Sequence, residues 1–129
     1  MINSRSETAQ EKAAFADSAK NRRCIIPASG YYEWGKKDKD TGRKQKYAFS
    51  QPGSRLIYMA GLYMVEETTH TPYYTILTRD AAPEIAEIHG RMPVILPQEA
   101  IAEWLLPTGS YPKLPSFTFS DVRASLMEQ

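Results

Sequence analysis

The sequence predicts one α+β domain on a mostly antiparallel sheet, and three observations carry that prediction. Strand-type segments outnumber helical ones, about six to three. Short polar turns, one of them a hairpin loop by composition, join several of those strands. A chain of 129 residues is long enough for one hydrophobic core but not for two.

Residues 1–5 read as short, polar and extended. Thr8-Ala9-Gln10-Glu11 fits a capping box and predicts a helix running to about Lys20. Ala9, Ala13, Ala16, Ala19 and Phe15 are its apolar content, and Lys20, Arg22 and Arg23 suit the negative end of its dipole. So weakly apolar a helix belongs on the surface, anchored by Phe15. Cys24-Ile25-Ile26 predicts a buried strand, and Pro27 to Gly30 a turn. Tyr31-Tyr32-Glu33-Trp34 predicts a second strand, with Glu33 and Tyr31 on one face and Tyr32 and Trp34 on the other. Residues 35–44, rich in Lys and Asp, form the hairpin loop, with Gly42 at positive φ. Lys46-Tyr47-Ala48-Phe49 returns as a strand, and Gln51-Pro52-Gly53-Ser54 turns again. Residues 56–65 are the longest apolar run. Gly61 within it signals either a bulge or a close approach of another backbone. A polar turn at residues 66–71 leads to a strand at residues 73–78. Residues 80–88 predict a short helix, with Asp80 as a cap and Gly90 just past its end. A strand at residues 92–96, a helix at residues 98–105 and a strand at Phe117-Thr118-Phe119 complete the pattern.

Composition narrows the functional classes. Hydrophobic content of 42% and charged content of 24% are ordinary for a soluble globular protein. The net charge of +1 gives no bulk case for nucleic acid or membrane, so a basic surface has to arise locally. No apolar run approaches the roughly 18 residues of a membrane span, and no charged-then-apolar leader is seen. One cysteine excludes an internal disulfide and fits a reducing, cytoplasmic setting. Two histidines and one cysteine, far apart, argue against a metal site, and nothing calls for a cofactor.

Glu33 and His89 stand out as candidate chemistry. Glu33, on a largely apolar strand, is either solvated on an outer face or held in a pocket for a purpose. His89, at a predicted helix C-terminus, is either an exposed capping residue or a general acid favoured by the helix dipole. Arg91 lies two residues on and in extended geometry points the same way. With Arg5 it can hold phosphate or carboxylate by forked hydrogen bonds, against the alternative of a surface salt bridge. Asn3 offers donors and acceptors to orient a substrate, or is simply a polar terminus. Cys24 follows two arginines but precedes two isoleucines, which favours a core thiol. A cysteine hydrolase using Cys24 and His89 requires that thiol to be exposed and near the imidazole. His70, in a threonine-rich turn, reads as solvated.

Four motifs in order then resemble a known family. They are Asn3-Ser4-Arg5-Ser6-Glu7-Thr8; Arg23-Cys24-Ile25-Ile26-Pro27-Ala28-Ser29-Gly30-Tyr31-Tyr32-Glu33-Trp34; Thr75-Ile76-Leu77-Thr78; and His89-Gly90-Arg91-Met92-Pro93-Val94-Ile95-Leu96. Over roughly residues 1 to 106 they resemble the SOS-response-associated peptidase (SRAP) domain. The resemblance implies a barrel-like, mostly antiparallel sheet with a few peripheral helices, and a basic cleft for single-stranded DNA carrying an abasic site. It implies catalytic roles for Asn3, Glu33 and His89 and phosphate contacts for Arg5 and Arg91. It also implies crosslinking of the abasic aldehyde by an N-terminal cysteine, proposed autopeptidase activity and a place in the cytoplasm near the nucleoid. Only Met1 and Ile2 precede Asn3, so the expectation is a fold incomplete relative to the family and without that cysteine. An apolar sheet edge left open in this way predicts homo-oligomers or marginal stability. The alternative is a noncovalent single-stranded DNA binder without catalysis, in which exposed aromatic residues stack bases.

Overall fold

The apolar run at residues 56–65 becomes the central strand of the larger of two sheets. The computed structural model describes residues 3–106, 111 and 122–127. In chain order the strands are β1 (Asn3–Arg5), β2 (Arg23–Ala28), β3 (Tyr31–Lys37), β4 (Lys44–Ser50), β5 (Ile57–Val65), β6 (Pro72–Asp80), β7 (Arg91–Pro93) and β8 (Arg123–Leu126). The helices are α1 (Ala16–Asn21), α2 (Pro83–Ala86) and α3 (Ile101–Leu105), with 3-10 turns at Ala9–Glu11 and Gln98–Ala100. The large sheet runs β1–β6–β5–β2, with β7 also on β6, and only the β1–β6 pairing is parallel. The small sheet is β3–β4–β8, all antiparallel.

The barrel-like sheet expected from the resemblance is therefore not what forms. Closure requires edge strands to meet, and among the described residues neither sheet closes on itself. The nearest approach to closure is made by β7. It pairs with the end of β6 and is then handed to β5: Val94 N donates to Leu77 O (2.8 Å), Ala60 N donates to Val94 O (2.9 Å), and Leu96 N donates to Tyr58 O (2.9 Å).

Alternation along β5 divides the core. Ala60 and Leu62 face Leu77, Val94, Leu96, Ala9, Ala19 and Trp104 on the helix side. Ile57 and Met59 face Phe49, Ile85, Met92, Ile95 and Val122 on the side of the small sheet. Trp104 is fully buried, and its Nε1 donates to Cys24 O at 2.9 Å. Arg23 is also buried. Its guanidinium donates to the carbonyls of Ala19 and Lys20 at the end of α1, and to those of Trp104 and Leu106 at the end of α3. Gly61 is a close approach and not a bulge. The register runs through it unbroken, and a Cβ there would lie 2.8 Å from Thr75 O and 2.4 Å from Ile26 Cδ1. The irregularity sits instead between Trp34 and Lys37 on β3. Gly42 takes the positive φ expected of it, 72°.

Several boundaries move. The helix expected over residues 8–20 is broken at Lys12, which is extended (φ −81°, ψ 127°), and Thr8 makes no side-chain cap bond. A segment with so little apolar surface gains little from continuous helix, so local contacts decide its path. Asp80 ends β6 instead of capping a helix. Helix α2 keeps only Pro83–Ala86, with Ala82 at its N-cap, and Gly90 is not left-handed. The strand expected at Phe117-Thr118-Phe119 lies outside the described residues. The C-terminal strand that is described, Arg123–Leu126, pairs with β4. No helix among the described residues is long and apolar enough to cross a membrane.

Candidate functional site

The two sheets and β7 converge on a cavity of about 250 Å³, lined by Asn3, Glu33, Thr78, His89 and Arg91 among others. Each residue arrives there for a local reason. Asn3 lies on β1, level with Ile76 of β6. Glu33 stands on β3, and period-two alternation puts it on the same face as Tyr31, toward the large sheet. His89 follows the short α2, its amide donating to Ile85 O at 3.0 Å, and Arg91 opens β7. Four of the five sequence-predicted site residues thus meet in one cavity. Arg5, the fifth, lines an adjoining cavity of about 460 Å³ with Thr8, Lys12 and Phe15. Asn3, Thr78, His89 and Arg91 form the wall common to both.

Glu33 and His89 face one another across the cavity, Oε1 to Nε2 at 3.7 Å, each a little over a third exposed. Glu33 is therefore a pocket residue, and His89 is not a mere cap. On its other side, His89 Nδ1 lies 3.1 Å from Arg91 O and 3.3 Å from Arg91 N. This arrangement serves both charge states of the ring. A neutral imidazole accepts the Arg91 amide proton at Nδ1 and points Nε2–H at Glu33. An imidazolium donates to the Arg91 carbonyl at Nδ1 and faces the Glu33 carboxylate as an ion pair at 3.7 Å.

Arg91 is the largest departure from the expected roles. Its Nη1 and Nη2 make a forked pair with Glu7 Oε2 and Oε1 (2.6 and 2.8 Å), and Nη1 also donates to Asp80 Oδ1 at 2.9 Å. Nη2 donates to Thr78 Oγ1 at 3.0 Å. The bonded guanidinium holds the Glu7 carboxyl down at about 2, and Glu7 in turn pushes Arg91 up. Arg91 thus joins β7, β6 and the turn after β1, and its charge is already met. Arg5 and Lys12 make no ion pair among the described residues, and they supply the positive rim.

Cys24 lines neither cavity. It lies half-buried on β2, level with Gly61 and separated from β6 by β5, and burial pushes its thiol up. The thiol is half-buried and belongs to neither core cluster, so it falls short of the expected core thiol, and the placement does not bring Cys24 to His89. His70 is exposed in its turn, at a positive φ of 59°. Among the described residues no three His, Cys, Asp or Glu side chains gather as a metal site. Sequence reasoning passed over Glu7, Lys12 and Thr78 as site residues. Glu7 lies within the first motif, but nothing in the sequence ties a carboxylate at position 7 to a guanidinium at position 91.

A two-sheet α+β domain whose cavity joins a carboxamide, a carboxylate–imidazole pair and a cationic rim is the class that the fold and site define. Comparison narrows the class to a family. The SOS response associated peptidase (SRAP) family model matches residues 1–127, and the chain belongs to that family. It is 40% identical over 116 residues to the abasic site processing protein YoaM of Bacillus subtilis, covering 87% of this chain and 50% of that protein. It is 36% identical over 126 residues to the abasic site processing protein HMCES of Xenopus tropicalis, covering 80% of this chain and 37% of that one. A crystallographic structure from Bacteroides thetaiotaomicron superimposes with a TM-score of 0.82 at 28% identity, over 98% of this chain and 58% of that one. The chain spans about half the length, or less, of the curated relatives it matches.

Proposed function

We propose that this chain recognises abasic sites in single-stranded DNA and does so without forming a bond to them. The observation that carries the reading is the meeting of Asn3, Glu33 and His89 in one cavity beside a cationic rim, while the single cysteine stays outside it. Arg5 and Lys12 attract the phosphate backbone. An abasic nucleotide has no base to exclude it from a cavity of this size, and its sugar presents a hydroxyl and a latent aldehyde. Asn3 orients those oxygens. His89, backed by Glu33, exchanges a proton with the anomeric oxygen and so shifts the sugar between ring and open forms. Crosslinking or peptide hydrolysis needs a nucleophile at the cavity, and Cys24 is badly placed and poorly ionised for that role.

The test is fluorescence anisotropy with single-stranded DNA carrying one abasic site, beside the undamaged strand, over a range of salt. A denaturing gel of the same mixtures runs alongside. Tighter binding to the abasic strand, a negative salt slope and no gel-stable band are expected. Equal affinity for the two strands, or binding indifferent to salt, would refute recognition. A gel-stable band lost in Cys24→Ser would refute the noncovalent reading.

A further inference from the structure

We infer that the Tyr31 hydroxyl donates a hydrogen bond to the anomeric oxygen of the bound sugar. The inference rests on the abasic-site reading above and adds a specificity residue to it. Tyr31 lines the same cavity as Asn3, Glu33 and His89, two residues before Glu33 and on the same face of β3. Its ring is stacked on Phe49, with centroids 4.7 Å apart and planes at 5°, and Phe49 is itself 1% exposed. The direction of the phenol is therefore fixed by the core.

The hydroxyl is buried and has no hydrogen-bond partner among the described residues. Buried tyrosine hydroxyls ordinarily find one, because an unpaired polar group inside a protein is costly. No described residue uses this one. Tyr31 stands in the wall of a cavity that otherwise holds a carboxamide, a carboxylate and an imidazole, and its unpaired hydroxyl is a donor kept for a ligand oxygen. Burial, assisted by the charge of Glu33, pushes the phenol well above its ordinary range, so it remains a donor at neutral pH. The oxygen that marks an abasic sugar is the one on the carbon that lost its base. An intact nucleotide carries nitrogen there, and the tetrahydrofuran analogue carries only hydrogen.

Wild type and Tyr31→Phe are titrated against three single strands containing a natural abasic site, the tetrahydrofuran analogue or no lesion, and thermal unfolding of both proteins is recorded. Tyr31→Phe keeps the stacked ring and removes only the hydroxyl. The expected result is about a fivefold loss of affinity for the natural abasic strand. The other two strands should bind unchanged, and the Tm of the free protein should be equal or higher. Equal losses on the natural and tetrahydrofuran strands, or no loss on either, would overturn the assignment. So would a lower Tm, which would give the hydroxyl a structural role. If the wild type itself fails to distinguish abasic from intact DNA, the functional reading falls and this assignment with it. If only Tyr31→Phe behaves as wild type, the assignment alone falls.

Discussion

Glu7→Gln removes the negative charge from the forked pair with Arg91 while keeping the shape of the side chain. The Glu7 carboxyl titrates at about 2 in the folded protein against an ordinary 4.5, chiefly because the Arg91 guanidinium is hydrogen-bonded to it. At 1.36 kcal/mol per pH unit that difference amounts to about 3 kcal/mol for a fully shielded group. Glu7 is 45% exposed, so solvent screening reduces the expected contribution to about 1–2 kcal/mol. Because the folded value lies below the unfolded one, the contribution is complete above pH 4.5 and vanishes as the pH falls toward 2. Urea unfolding of wild type and Glu7→Gln should therefore show a gap of about 1–2 kcal/mol at pH 7. At pH 3 the gap should shrink to less than half of that. Other carboxylates titrate over the same range, but they are common to both proteins and cancel in the difference. A variant as stable as wild type at pH 7, or a gap that stays constant down to pH 3, would refute the claim that this ion pair holds β7 to the turn after β1.

Arg5→Ala should weaken binding to abasic and intact strands alike and make the slope of log affinity against log salt shallower by about 0.7. An unchanged slope would mean that Arg5 touches no phosphate. Gly61→Ala forces a Cβ against Thr75 O and Ile26 Cδ1. It should cost about 1–3 kcal/mol in urea unfolding, and a wild-type midpoint would show that the strands can part at no cost. Cys24 should alkylate slowly in the native state and quickly in urea, and Cys24→Ser should leave DNA affinity unchanged. Fast native labelling would contradict the half-buried placement.

Elements specified by local chemistry were legible in the sequence. The β3–β4 hairpin followed from its charged loop and Gly42, and β5 and β6 from their apolar content. Glu33, as a carboxylate on a largely apolar strand, and His89, at a predicted helix C-terminus, were singled out together, and the fold brings them to 3.7 Å. What escaped depends on contacts distant in sequence. The break at Lys12 is the exception: with so little apolar surface in the segment, local contacts set its path, and the capping-box pattern did not reveal it. The division into two sheets follows from β2 staying paired with β5 through Ala28 before the chain turns into a separate hairpin, and from β7 passing between β6 and β5; the sequence signals the turn but not the change of sheet. The strand at Arg123–Leu126 has weak strand character of its own and forms because β4 offers it an open edge.

On the proposed reading, the environment of Arg91 also sets how DNA would approach. Two carboxylates around one guanidinium leave that corner net negative, so a phosphate reaching Arg91 meets Glu7 and Asp80 first. Arg5 and Lys12, which have no such partners among the described residues, lie along the wall formed by β1 with Thr8 and Phe15. The backbone should therefore track that wall and swing its sugar inward past Asn3 toward Glu33 and His89. On that reading Arg91 would contribute by geometry instead of charge. Its main chain holds the His89 ring while its side chain secures Thr78 and the turn after Asn3. On this argument, Arg91→Lys keeps the charge but loses the forked bonds, so it should impair abasic discrimination more than overall DNA affinity. The opposite order would return Arg91 to the role of phosphate ligand.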